Sequence, residues 1–180
     1  VAYRNKGDSE AGIGIINPNG NTFTSIYSEP TTGRPPGWPK WNFDCSKIAF
    51  HKYTNQNWEV FTMNADGNNQ INRTNNLATD QLPDWSVDGA RIAFISNREG
   101  TLSLYEFNLV NSSVKKLTGN EGTKVDPAYS PDGKNIIFVY DLISFFNPQI
   151  YLMNSDGTGN WIQLTTEGAN RYPAWRPRPK

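Results

Sequence analysis

The chain has one histidine, His51, and one cysteine, Cys45. These are the side chains most often recruited as general base and nucleophile, and neither stands in a pattern that would activate it. His51 follows the run Ile48-Ala49-Phe50 on an expected strand and reads as a structural residue. Cys45 sits between Asp44 and Ser46, with Lys47 beyond, and no grouping there would hold a thiolate. A single cysteine also excludes an internal disulfide and a cysteine-rich metal site. There is no Gly-x-Ser-x-Gly elbow, no His-Glu-x-x-His pair and no phosphate-binding glycine loop. Asp66-Gly67 and Asp156-Gly157 resemble calcium-loop fragments but lack the other ligand positions, so they read as hairpin turns. No catalytic residue, metal site or cofactor is expected, apart from an ion that a channel could bind, and the reading leans to a non-enzyme without deciding it.

What remains is binding chemistry in the stretches between hydrophobic runs. Asp80, Arg98 and Glu99 fall in or beside one set of loops, Lys124 and Asp126 in the next, and Arg171 lies beside Asn170 and Tyr172 near the end. Such groups could line a mouth that holds an ion, a sugar or a peptide. The segment Asp141–Pro148 carries Leu142, Ile143, Phe145 and Phe146, four large apolar side chains where a polar loop is the norm. They are expected either to cover a channel mouth or to form a partner contact. Lys+Arg and Asp+Glu both number 17, which argues against a nucleic-acid or anionic-membrane surface. No apolar run approaches the roughly 20 residues that span a bilayer.

The elements that must position these residues are repeats. Pro83 to Phe94 reads as a strand, an Asp88-Gly89 turn and a return strand, because glycine accepts the positive φ of a tight hairpin. Trp41, Trp85, Tyr129 and Trp175 are 44, 44 and 46 residues apart, and each follows a proline by two. Ile48-Ala49-Phe50, Ile92-Ala93-Phe94 and Ile136-Ile137-Phe138 recur behind them. Third strands recur at 60–64, 104–108 and 150–154. The stretch 1–28 supplies strands two to four of one more repeat, and 171–177 supplies a first strand. Four antiparallel strands every 40–45 residues are the signature of propeller blades. The expectation is an all-β, four-bladed propeller in one domain, residues 1–180. Its blades are 38–74, 82–118, 126–165 and a closing blade of 1–28 plus 171–177, with the C-terminal strand paired to the N-terminal blade. Four repeats of a larger ring are the alternative. A closed ring predicts a monomer. The start at Val1 rather than methionine predicts a processed or trimmed chain. Trp41, Trp85, Tyr129 and Trp175 are expected to pack between blades, and function is expected on the more varied loops of the opposite face.

Pro-x-Trp-Ser-x-Asp-Gly-x-x-Ile-Ala-Phe, followed by Leu-Tyr, Asn-x-Asp-Gly and Leu-Thr, resembles the WD-like β-propeller repeat of the TolB-like family. The likeness is best over 83–118 and good over 127–165, whereas Trp41–Ser46 lacks the Pro-Asp-Gly turn. Members carry six blades beside an α/β domain; here four blades and no α/β pattern are legible. The resemblance implies a structural role for the repeats and a periplasmic or extracellular setting. The function expected is a non-enzymatic binding or scaffold propeller that offers loops and a channel mouth to a protein or peptide. The alternative is a carbohydrate-binding or lyase-like propeller, marked by a carboxylate, a Lys or Arg and an exposed aromatic around the channel.

Overall fold

A computed structural model describes residues 2–5, 10–30, 34–142 and 146–176, with side chains described from residue 11 onward. The described residues are all β and turn, with no helix. The first sheet has three strands, β1 (Ala2–Asn5), β2 (Glu10–Ile16) and β3 (Phe23–Pro30). Three four-stranded sheets follow. They are β4 (Gly37–Trp41) to β7 (Ile71–Asn72) with β5 (Lys47–Thr54) and β6 (Asn57–Asn64) between; β8 (Asp80–Trp85), β9 (Arg91–Ser96), β10 (Ser103–Asn108) and β11 (Val114–Lys116); and β12 (Thr123–Tyr129), β13 (Asn135–Asp141), β14 (Gln149–Asn154) and β15 (Ile162–Gln163). Every pairing is antiparallel between neighbours in sequence.

Burial explains why these strands read as continuous apolar runs. In β9, Ile92 to Ser96 are all buried, since side chains alternate across a strand and both faces are covered by neighbouring sheets. The outermost strands β7, β11 and β15 are two or three residues long and mostly exposed, which blunts an open edge.

Three apolar cores lie between sheets. Ile13 of the first sheet meets Ile48, Phe50 and Met63 of the second, with Trp41 against them. Ala49 and Val60 meet Trp85, Ile92, Phe94 and Tyr105. Ala93, Ile95, Leu104 and Leu117 meet Tyr129, Ile136, Phe138 and Met153. The small residues Ala49 and Ala93 occupy the same repeat position, and the bulky ring comes from the following sheet, so large is packed against small. Truncating a ring such as Trp85 would remove about 3–5 kcal/mol of transfer and cavity energy.

The repeat aromatics also hold the sheets in register by hydrogen bonds. Trp85 Nε1 donates to Lys40 O at 3.1 Å, and Trp175 Nε1 donates to Ala128 O at 3.0 Å. Both acceptors directly precede the aromatic of the preceding repeat. Tyr129 uses two other groups: its N–H donates to Asp84 Oδ2 at 2.8 Å and its hydroxyl to Glu106 Oε2 at 2.6 Å.

Ring closure is not seen among the described residues. Residues 171–176 form no ladder with β1, and the first sheet has three strands. Seating Trp175 requires only the fourth sheet, and the first and fourth sheets share no packed interface among the described residues. The segment occupies the place of a first strand beside β12 without completing a blade.

Turn chemistry accounts for the divergent second repeat. Ser86 Oγ accepts from Arg91 N at 2.9 Å and Ser130 Oγ from Asn135 N at 3.0 Å; Asn42 Oδ1 accepts from Lys47 N at 2.9 Å in the same role. Gly89 and Gly133 have φ of 67° and 72°, and Cys45 stands at their position with φ 59°. Cys45 is exposed and free. Replacing Cys45 by Gly should therefore raise stability by up to about 1 kcal/mol, the left-handed strain relieved less the added chain entropy, measured by urea titration. Gly67 has a further constraint: φ is 87° and a Cβ there would lie 1.7 Å from Ile26 O on the first sheet. At Gly89 a Cβ meets nothing within 4 Å. Gly67→Ala should cost about 2–4 kcal/mol because the two sheets must part, whereas Gly89→Ala should cost about 1 kcal/mol for φ alone; thermal melts of the two variants test the difference.

Candidate functional site at the strand bulges

Each first strand is interrupted at the same place. Pairing slips between Gly37 and Lys40, between Gln81 and Asp84, and between Val125 and Ala128, so that two residues face one on the neighbouring strand. The residues passed over are Trp38-Pro39, Leu82-Pro83 and Asp126-Pro127, and the single residue opposite is Phe50, Phe94 or Phe138. Proline has no N–H for the ladder, so it is accommodated at a bulge. The preceding residue is left with positive φ: 49° at Trp38, 55° at Leu82 and 53° at Asp126, with Tyr172 at 55° before Pro173. Four non-glycine residues thus hold a conformation that costs on the order of 1–2 kcal/mol each.

These four residues converge. Trp38, Leu82, Asp126 and Tyr172 line one cavity of about 140 Å³, together with Lys40 and the prolines at 83, 127 and 173. It lies where the first strands of successive sheets come together, the axial side of the blades. Trp38 is 46% exposed and Tyr172 68% exposed, so two aromatic faces are offered to a ligand. Burial raises the carboxyl of Asp126, opposed by the Tyr172 backbone N–H and the charges of Arg171 and Lys40. Asp84, behind it, is pushed up to about 6 by burial, against Lys40 and the Tyr129 N–H. Lys40 Nζ lies 4.0 Å from Asp84 Oδ1. The cavity therefore combines stacking surfaces, a cation and a carboxylate.

The other loop residues singled out in the sequence fall elsewhere. Asp80 is fully buried and receives Arg98 Nη2 at 3.2 Å and Asn76 Nδ2 at 2.6 Å. Arg98 lies 4.7 Å over the Tyr105 ring, which makes this pair a lock on the start of β8. Glu99 pairs with Lys116 at 2.6 Å on the surface. Lys124 is fully buried, and its ammonium donates to the carbonyls of Gly119 (2.8 Å), Glu121 and Gly122 (3.3 Å) beneath the rings of Tyr140 and Trp161. Burial lowers it to about 8, against the pull of Glu121. Leu142 and Phe146 are 67% and 85% exposed and line a separate cleft with Tyr140, Gln149 and Tyr151. Ile143 and Phe145 lie outside the described residues. Arg171 is exposed and acts on Asp126. Of the sequence candidates, the structure brings Asp126 to the axial cavity, with Arg171 acting on it by its charge; Trp38, Lys40, Leu82 and Tyr172 join Asp126 there. Their shared signal was available in the chain: the residue before the recurrent proline is Trp, Leu, Asp or Tyr, varying while its neighbours repeat.

A second cleft of about 320 Å³ adjoins the first through Trp38. Pro35, Pro36, Trp58 and Gln81 line it, with Arg34 at its edge and His51 at its base. His51 is 3% exposed, and burial holds its imidazole down at about 4, neutral at physiological pH.

No group of three His, Cys, Asp or Glu side chains is placed to hold a metal among the described residues. No helix of the described residues is long and apolar enough to cross a membrane. Residues 31–180 match the model of the TolB beta propeller domain. The comparison with curated proteins returned no match. Among solved structures, TolB from Acinetobacter baumannii is 25% identical with a TM-score of 0.77, covering 91% of this chain and 40% of that one. A TolB-type protein from Agrobacterium tumefaciens is 26% identical with a TM-score of 0.76, covering 86% and 56%. The chain thus spans about half the length of these relatives or less. An oligogalacturonate lyase from Vibrio parahaemolyticus shares the fold alone, at 15% identity and a TM-score of 0.62 over 87% of this chain and 43% of that one. On the match over 31–180, this chain belongs to the TolB β-propeller domain family.

Proposed function

We propose that this TolB-like propeller is a non-enzymatic binding module that takes a peptide segment of a protein partner at the axial cavity. The observation that carries the reading is the convergence of four left-handed, non-glycine bulge residues on one cavity. Backbone strain repeated at one place in every blade persists where it aims side chains at a ligand. Trp38 and Tyr172 supply exposed rings of the kind that dominate binding energy. Lys40 and Asp126 supply one charge of each sign and so set the direction of a bound backbone or pair with its side chains. The family setting supports a periplasmic or extracellular site of action.

A carbohydrate ligand is the second reading. One observation favours it: the cavity holds a carboxylate, a lysine and exposed aromatics together, the combination a sugar site requires.

A displayed random-peptide library selected on the immobilised chain, with a glycan array in parallel, separates the two. The expected result is a set of enriched peptides whose affinity falls at least about tenfold when Trp38 and Tyr172 are both changed to Ala, as for truncated aromatic anchors. Peptides that bind the double variant unchanged would overturn the axial assignment. Glycan hits without peptide enrichment would replace the peptide reading by the sugar one.

A further inference from the structure

The second cleft has a chemistry of its own. Leu82 N donates to His51 Nδ1 at 3.2 Å, which leaves the ring proton of the neutral imidazole on Nε2. No group among the described residues accepts that proton. The ring is held between Trp38, at a centroid distance of 5.3 Å, and Trp58, at 4.8 Å. Gly37 keeps Nε2 uncovered: a Cβ at that position would lie 3.1 Å from it. At the rim, the Arg34 guanidinium rests 4.0 Å over the Tyr53 ring, which orients it. None of the lining residues carries a carboxylate. In a chain with no net charge, this cleft therefore presents the His51 donor, the Gln81 amide and the Arg34 cation, with no side-chain anion and with apolar walls.

We propose that this cleft is a subsite for a carboxylate carried on an apolar or aromatic body, with the carboxylate accepting from His51 Nε2 and pairing with Arg34. Nε2 is not one of the buried unpartnered atoms and opens to the cleft, so an anionic acceptor there takes the place of water, and a charge-assisted bond of this kind is stronger than a neutral one. The indole walls of Trp38 and Trp58 take the apolar part. The subsite extends the axial mouth through Trp38 and rests on that reading for its biological ligand, a peptide whose carboxylate comes from an acidic side chain or from its C-terminus.

The single histidine gives one pair of imidazole ¹⁵N resonances, so the folded chain can be titrated directly. The probes are 3-phenylpropionate and its amide. The expected result is a ring protonated at Nε2 in the free chain, a shift of that resonance with the acid, and binding of the amide weaker by about tenfold. Gly37→Ala, which places a methyl over Nε2, and Arg34→Gln should each reduce the preference for acid over amide to near unity. Tyr172→Ala should leave it intact, since Tyr172 lines only the axial cavity. Acetyl-Gly-Phe with a free C-terminus and acetyl-Phe-Glu-amide then tell which carboxylate source is preferred. A proton on Nδ1, equal response to acid and amide, or an undiminished preference in Gly37→Ala would overturn the proposal. If the acid binds as described while library selection yields no Tyr172-dependent peptide, the axial reading fails and the subsite stands.

Discussion

The structure depends on one recurrent contact, the seating of a first-strand aromatic on the sheet before it. Trp85 lies against Ala49 and Val60 and donates its indole N–H to Lys40 O; Trp175 makes the corresponding bond to Ala128 O. The hydrogen bond matters because an indole N–H buried without an acceptor would cost free energy comparable to a good part of the ring's own burial. It also sets register: in both bonds the acceptor precedes the previous aromatic, so these two aromatics are placed by the same offset. Where Tyr129 replaces tryptophan, the ring's donor is a hydroxyl that bonds Glu106, and the backbone N–H of the same residue bonds Asp84. Asp84 is thereby drawn into the interior, and its carboxyl is pushed up by burial.

The same strands position the site. A first strand carrying Pro39, Pro83 or Pro127 cannot complete its ladder, and the bulge that results rotates the preceding residue into left-handed φ. Because the aromatic two residues later is fixed by its seating, the bulge cannot be absorbed by a slip of the strand. The strain is borne by the fold and the side chains are directed to the axis. The bulge and the packing of the blades are thus coupled through four residues in each repeat: the variable one, the proline, a spacer and the anchor aromatic. The loops give a contrasting picture. Charges that stand alone in the chain, such as Asp80 and Lys124, are consumed in holding the sheet connections, one by an arginine and the other by three carbonyls.

Much of the fold is legible in the chain because its information is local and repeated. The 44-residue spacing, the Ile-Ala-Phe strands and the Asp-Gly turns define strand, turn and blade count. Even the irregular turn at Cys45 follows from the same geometry, with Asn42 standing in for serine. The site was legible only in part. Asp126 and Arg171 could be singled out as loop charges, but Trp38 and Leu82 carry no charge to mark them, and nothing in the repeat pattern announces positive φ. His51 read as structural, and its place in the fold is buried as that reading requires; what its Nε2 faces depends on Gly37 and Trp58, residues brought to it by two different strands.

The sequence by itself determined the kind of element, the number of blades and the identity of the packing aromatics, because periodicity and turn chemistry act over a few residues and recur. Only the tertiary structure decided that Trp175 is seated on the fourth sheet, its indole bonded to Ala128 O, while residues 171–176 join no ladder among the described residues. That outcome depends on the turn between packed sheets, a sum over side-chain contacts that no single repeat encodes. The tertiary structure likewise decided that Trp38, Leu82, Asp126 and Tyr172, each 44 or 46 residues from the next, meet in one cavity. Four copies of one bulge become a site only when the sheets that carry them are stacked about a common axis.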